Sequence, residues 1–279
     1  MNIDSHQHYW QPLRGDYDWM PRDNDVLNRQ YTPADIKPAI SAKNIDGTVL
    51  VQAAATVYET EYMLGLADAT PFIKGVVGWI DFEDKTHLSH LKRFAEHPKF
   101  LGIRPMIQDI PDVNWMLKPE IQWAFEAVID LDLTFDALGF PQHIDNFYTL
   151  IKRYPEMRVV FDHCMKPQIR DISAGKDPYA EWADKMALLA EETSGYCKLS
   201  GLITEADTSA TLEDLKPFTD HVLQVFGSRR VMWGSDWPVC RLVMEYEDWF
   251  EAAVQLTAHL TKEARDDIFG LNAARFYRL

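Results

Sequence analysis

The sequence predicts an α/β protein, a closed (β/α)8 TIM barrel, and three observations lead there. Eight short apolar, β-branched runs alternate with longer amphipathic runs, the pattern of βα units around a parallel sheet. The chain has 279 residues, near the ~250 typical of such barrels. A doubly wound sheet would carry a Gly-x-Gly-x-x-Gly turn after its first strand; His6 and His8 stand there instead.

The strands are read, in order, at Asn2–His6, Thr48–Gln52, Gly75–Ile80, Leu101–Arg104, Leu133–Ala137, Arg158–His163, Cys197–Ser200 and Val231–Asp236. Among the helices, EIQWAFEAVIDL is the clearest: Ile121, Ala124, Phe125, Val128 and Ile129 recur at i, i+3, i+4, i+7 and i+8 and form one apolar stripe. Ile144, Phe147, Tyr148 and Ile151 repeat that spacing, as do Tyr179, Trp182, Ala183, Met186, Leu189 and Ala190. The stretch from Gln11 to Pro38, rich in Tyr, Trp, Asp and Pro, reads as a loop over the active-site face. No Ser/Gly-rich linker, low-complexity segment or repeat divides the chain, so residues 1–279 are expected to form one barrel domain.

Composition narrows the function. The chain is 47% hydrophobic and 25% charged, with 28 Lys plus Arg against 43 Asp plus Glu and a net charge of −15. That charge repels nucleic-acid backbones and anionic membrane surfaces and favours a small-molecule partner. No run approaches the ~18 apolar residues of a membrane span, and the start has neither a basic nor an apolar signal region. Three scattered cysteines, Cys164, Cys197 and Cys240, make no disulfide framework and point to a reducing compartment, the cytoplasm.

In a barrel the chemistry lies where the strands end. Those ends carry His6 and His8, Gln52, Arg104, His163, Ser200 and Asp236. Strand alternation puts Asp4, His6 and His8 on one face and Gly234 beneath Asp236, leaving room in the interior. A His-x-His pair can present two imidazoles to one cation, completed by a later carboxylate or histidine. Asp236 also suits an N-cap, with Pro238 in the first helical turn after it. Arg104 reads either as a rim salt-bridge partner or as a cation poised for a carbonyl oxygen or an oxyanion. Lys166 is a loop cation near the same mouth. Trp10, Trp19, Trp79 and Trp237 lie near strand ends or in the first loop, where an indole can stack on a sugar face. Cys164, next to His163 in a strand, points to the opposite face and is set aside as a nucleophile. No Gly-x-Ser-x-Gly elbow or Walker A loop is present.

Taken together, IDSHQHYW, VVGWIDF, GIRP, VVFDHCMKP, CKLSGLITEAD, RRVMWGSDWPVC and the closing NAARFY resemble the sugar-lactonase branch of the amidohydrolase superfamily, over almost the whole chain. The resemblance implies an amidohydrolase-like barrel that opens an aldonolactone with water in carbohydrate catabolism, an L-fucono-, L-rhamnono- or related lactone. Asp236 would be the general base, and Arg104 and His163 would polarise the carbonyl. Gln52, Trp79, Lys166, Ser200 and Trp237 are the candidate substrate contacts. His6, His8 and Asp236, with His163 as a further ligand, would hold at most one divalent ion, zinc first, whose need for turnover stays open. The binuclear pattern of the superfamily is not matched, because Arg104 stands where a bridging lysine would sit and Leu133–Ala137 offers no histidine. The alternatives are a metal-dependent decarboxylase or hydratase of the same superfamily acting on an aromatic or unsaturated acid, and a barrel that binds a sugar acid without chemistry. A monomer or homodimer is the default assembly.

Overall fold

The computed structural model describes residues 1–279. Eight parallel strands, β1 (Ile3–Gln7), β2 (Gly47–Val51), β3 (Ile73–Gly78), β4 (Phe100–Ile103), β5 (Thr134–Ala137), β6 (Arg158–Phe161), β7 (Tyr196–Leu199) and β8 (Val231–Trp233), pair in strict chain order. Backbone just past β8 returns to β1 and closes the ring: Asp236 N donates to the His6 carbonyl at 2.9 Å, and His8 N donates to the Trp237 carbonyl at 2.8 Å. The expected TIM barrel is therefore the observed one.

Eleven α-helices surround it: α1 (Pro33–Ala42), α2 (Val57–Ala69), α3 (Leu88–Ala95), α4 (Gln122–Asp130), α5 (Ile144–Arg153), α6 (Ala180–Glu192), α7 (Leu202–Glu205), α8 (Leu212–Phe226), α9 (Tyr246–Leu256), α10 (Lys262–Asp266) and α11 (Asn272–Tyr277). The stripes read from sequence are the buried ones, with Ala124, Phe125 and Val128 of α4, Ile144, Phe147 and Ile151 of α5, and Trp182, Met186 and Leu189 of α6 packed on the sheet. Burying each large side chain is worth ~1.5–3 kcal/mol, so these faces decide where the helices lie. At the opposite end from the strand termini, α11 plugs the barrel with Ala273, Phe276 and Tyr277 against Ile3, Val49, Val77, Val160 and Met232.

Three local expectations are corrected. The Gln11–Pro38 loop ends earlier, because Thr32 and Asp35 form a capping box and Pro33 occupies the first turn, which starts α1 inside the segment. β6 stops at Phe161, and the next turn puts His163, Cys164, Met165 and Lys166 in the left-handed region with φ of 53, 51, 58 and 49°. Strand alternation therefore does not separate Cys164 from His163; Cys164 is excluded as a nucleophile because it is buried with its thiol on the Lys198 carbonyl at 3.3 Å. β8 likewise ends at Trp233, and Asp236 lies in a left-handed turn at φ 57°. Non-glycine residues held at positive φ cost of order 1–3 kcal/mol each and cluster at functional sites.

Candidate active site

β1 supplies the first two groups. Its pairing register against β2 shifts between Asp4 and Gln7, so Asp4 leaves the histidine face expected for it. Its carboxylate accepts from Ser235 N at 2.8 Å and Gln7 Nε2 at 2.7 Å and ties β1 to the chain after β8. Gly234 does not open space beneath Asp236 either; a Cβ there would meet His6 Cβ at 2.7 Å, so the glycine admits the His6 side chain. Gly201, at φ +66°, does the same for His163, whose ring would lie 2.7 Å from a Cβ at that position.

Asp236 is the centre of the cluster. Its Oδ1 lies 3.1 Å from His8 Nε2, 3.7 Å from His6 Nε2 and 4.0 Å from His163 Nε2. Its carboxylate caps no helix, and the short 3-10 turn Val239–Leu242 that follows has no side-chain cap. Burial works against its charge, but His163, His8 and His6 outweigh burial and hold the carboxyl below the usual range. Burial lowers all three imidazoles in turn: His163 to about 4, His8 below its ordinary value, and His6 further, where the Lys198 charge adds to burial. At neutral pH the cluster is an ionised carboxylate ringed by neutral imidazoles.

Arg104 reaches the cluster from beyond β4. Its Nη1 donates to Asp162 Oδ2 at 3.2 Å and lies 3.2 Å from His6 Nε2, while Nη2 donates to the Gln52 carbonyl. Its Nε is buried without a partner. Above lies a cavity of about 300 Å3 whose lining includes His8, Arg104, His163, Lys166 and Asp236, with Trp10, Trp19, Leu138 and Val239 as apolar walls.

Of Gln52, Trp79, Lys166, Ser200 and Trp237, the candidate substrate contacts, only Lys166 lines this cavity; its Nζ pairs with Glu205 at 3.7 Å. Ser200 lies behind His163, its hydroxyl 2.9 Å from Nδ1. The Gln52 amide donates to the Arg104 carbonyl at 2.6 Å and holds the end of β4. Trp237 is buried edge-on against Tyr9 and Tyr31. Trp79 lines a separate cavity of about 490 Å3 that shares Trp19, Met106 and Asp109 with the first. His143 stands at the start of α5, its Nδ1 accepting from Phe140 N at 2.9 Å.

Sequence reasoning missed the layer beneath. Lys198 Nζ is completely buried, 2.6 Å from Asp136 Oδ2, 3.0 Å from Asp162 Oδ1 and 3.1 Å from His6 Nδ1. Tyr277 of α11 donates to Asp136 Oδ2 at 2.8 Å. Burial pushes Asp136 up to about 6 against the pull of Lys198; for Asp162 burial acts the same way, but Lys198, His6 and Arg104 together hold it well below its ordinary value. The signal was a lysine and two aspartates inside apolar strands, where an ion survives only if paired.

The site fits a divalent cation. His8 Nδ1 lies 2.7 Å from the Val51 carbonyl, which accepts only, so Nδ1 carries the proton. With Nδ1 committed to that carbonyl, Nε2 of His8, 3.1 Å from Asp236 Oδ1, is the ring atom that would face an ion. Ligand atoms of His6, His163 and Asp236 lie within 4.8 Å of one another, a nitrogen and oxygen set of the kind zinc takes.

The amidohydrolase family profile matches residues 3–279. The chain belongs to the amidohydrolase family. It is 38% identical over 281 residues to an L-fucono-1,5-lactonase of Burkholderia ambifaria, covering 99% of this chain and 95% of that one. An L-fucono-1,5-lactonase of Burkholderia multivorans is 32% identical and covers 100% and 96%. A crystal structure of an amidohydrolase from Burkholderia multivorans with bound zinc superposes with a TM-score of 0.93 at 32% identity, covering 100% of this chain and 99% of that one.

Proposed function

We propose that this chain hydrolyses the cyclic ester of a sugar aldonolactone, an L-fucono-, L-rhamnono- or related lactone, in carbohydrate catabolism. The observation that carries the reading is the ionised Asp236 at the foot of a cavity that Arg104, just past β4, and His163 and Lys166, in the turn after β6, also line. A neutral lactone can enter against the net charge of −15, and its carbonyl meets the cationic side of the cavity.

Asp236 takes a proton from the attacking water as the oxygen adds to the carbonyl carbon. Arg104 and an imidazole N–H of His163 stabilise the tetrahedral oxyanion. Collapse breaks the bond to the ring oxygen, Asp236 returns its proton there, and the product is the open hydroxy acid. A lactone is an activated, strained ester, so this modest apparatus suffices. His6, His8 and Asp236, joined by His163, would hold a divalent ion, zinc first, which when bound would polarise the carbonyl and acidify water. The neutral lactone is the only partner the reading requires, the assembly being a monomer or homodimer. Three buried free cysteines accord with a reducing, cytoplasmic setting.

A pH-indicator assay against a panel of L- and D-aldonolactones, with and without a strong chelator, tests the reading. Turnover of L-fucono- or L-rhamnonolactone that survives chelation is the expected result. No turnover of any lactone by metal-replete protein overturns it and brings forward the metal-dependent decarboxylase or hydratase.

A further inference from the structure

The His6 ring is held from behind by two groups that want opposite things. Lys198 Nζ stands 3.1 Å from Nδ1, and an ammonium only donates, so this contact needs a lone pair on Nδ1 and leaves the ring proton on Nε2. Asp162 Oδ1 stands 3.5 Å from the same Nδ1, and a carboxylate only accepts, so this contact needs the proton on Nδ1. Although Oδ1 lies 3.0 Å from the lysine, no aligned donor reaches it, and it is a fully buried acceptor without a hydrogen bond.

The two arrangements differ at the other end of the ring. With Lys198 satisfied, Nε2–H donates to His8 Nε2 at 3.2 Å, whose lone pair is free because His8 Nδ1 serves the Val51 carbonyl. Both histidines then have their facing atoms occupied by one proton, and neither offers a cation its electrons. With Asp162 satisfied, His6 Nε2 and His8 Nε2 both present lone pairs. Nε2 of His6 accepts from Arg104 Nη1 at 3.2 Å until an ion takes its place. A carboxylate behind a histidine, fixing its tautomer, is the second-shell arrangement that supports metal binding.

We propose that His6 is a tautomer switch: Lys198 and Asp162 compete for Nδ1, and the outcome sets whether the histidine cluster takes up a divalent ion. Lys198 and Asp162 are positioning residues in this scheme, acting on the ion through His6. The shorter contact on Nδ1 belongs to Lys198 and works against the ion, whereas Arg104 Nη1, 3.2 Å from Nε2, favours the lone pair there; lactone hydrolysis proceeds on Asp236, Arg104 and His163 in either arrangement. The proposal rests on the divalent-ion reading of the cluster.

The test is zinc affinity at one fixed pH, measured by competition with a chromogenic chelator, with no substrate present. Lys198→Met/Asp136→Asn removes the competing donor while keeping the buried charge balanced, and is expected to tighten zinc binding at least tenfold. Asp162→Asn removes the acceptor and is expected to weaken it at least tenfold more than Asp136→Asn, which removes the same charge without touching His6. Unchanged affinity in the double variant, or equal weakening by the two single variants, overturns the switch. Absence of zinc uptake by all four proteins, wild type included, overturns the divalent-ion reading and the switch with it. Circular dichroism establishes that each variant is folded, and Asp162→Asn against Asp136→Asn decides the question where the double variant is not.

Discussion

The barrel carries ionisable side chains on two levels, and the fold treats them differently. On the floor, Lys198, Asp136 and Asp162 are completely buried and ion-paired, with Tyr277 donating to Asp136 from below and Oδ1 of each aspartate left without a hydrogen bond. At the mouth, Asp236 faces three neutral imidazoles and no cation within pairing distance. Arg104 spans the levels, tied by Nη1 to Asp162 below while lining the cavity above. Charges on the floor are spent on each other and give rigidity; the charge at the mouth is left unneutralised and is therefore available to a ligand or a proton.

On that division the largest effect belongs to Asp236. Asp236→Asn should lower kcat by about 10³-fold with the melting temperature nearly unchanged, read by the lactonase assay and a thermal scan. Lys198→Met should do the reverse, costing about 3–5 kcal/mol in urea denaturation because two buried carboxylates lose their partner; the charge-balanced Lys198→Met/Asp136→Asn should recover most of it. Equal stability loss at the two levels would break the comparison. Arg104→Lys, which cannot reproduce the guanidinium fork to Asp162 and the Gln52 carbonyl, should lower kcat roughly 10²-fold, between the two extremes.

A further buried carboxylate sharpens the contrast through pH. Glu59 accepts from Ala53 N and Ala54 N, and burial pushes it up to about 8 from 4.5. Between those values the folded chain keeps a proton that the unfolded chain has lost, so its contribution to stability is complete below pH 4.5 and falls as pH rises toward 8. Glu59→Gln should flatten that part of the stability profile in denaturant titrations at stepped pH. The smallest effect is expected for Trp79→Ala, in the separate cavity, with kcat/KM for a monosaccharide lactone within twofold of wild type.

Much of this was legible in the chain. His6, His8, Arg104, His163 and Asp236 could be found by asking which polar residues follow apolar runs, because a parallel barrel places every strand end on one face. Gln52, Ser200 and Trp237 also stand at or beside strand ends and do not line the cavity above Asp236, since a strand end sets the level of a side chain and not its direction. The pairing of Asp136, Asp162 and Lys198 went unread because a charged residue in or beside a strand carries no local sign of its partner; it joins β5, the turn after β6, and β7.

The barrel follows from eight alternating units whose apolar periods match strand and helix, and the residue types at the mouth are written in the chain. Tertiary structure alone decided the rest. It turned His163 and Asp236 inward through left-handed backbone that no strand pattern encodes, and it set Lys198 and Asp162 on opposite claims to one nitrogen of His6. Periodicity is a local property that each segment carries with it, whereas the placement of a proton or a buried charge depends on groups that become neighbours only when the ring closes.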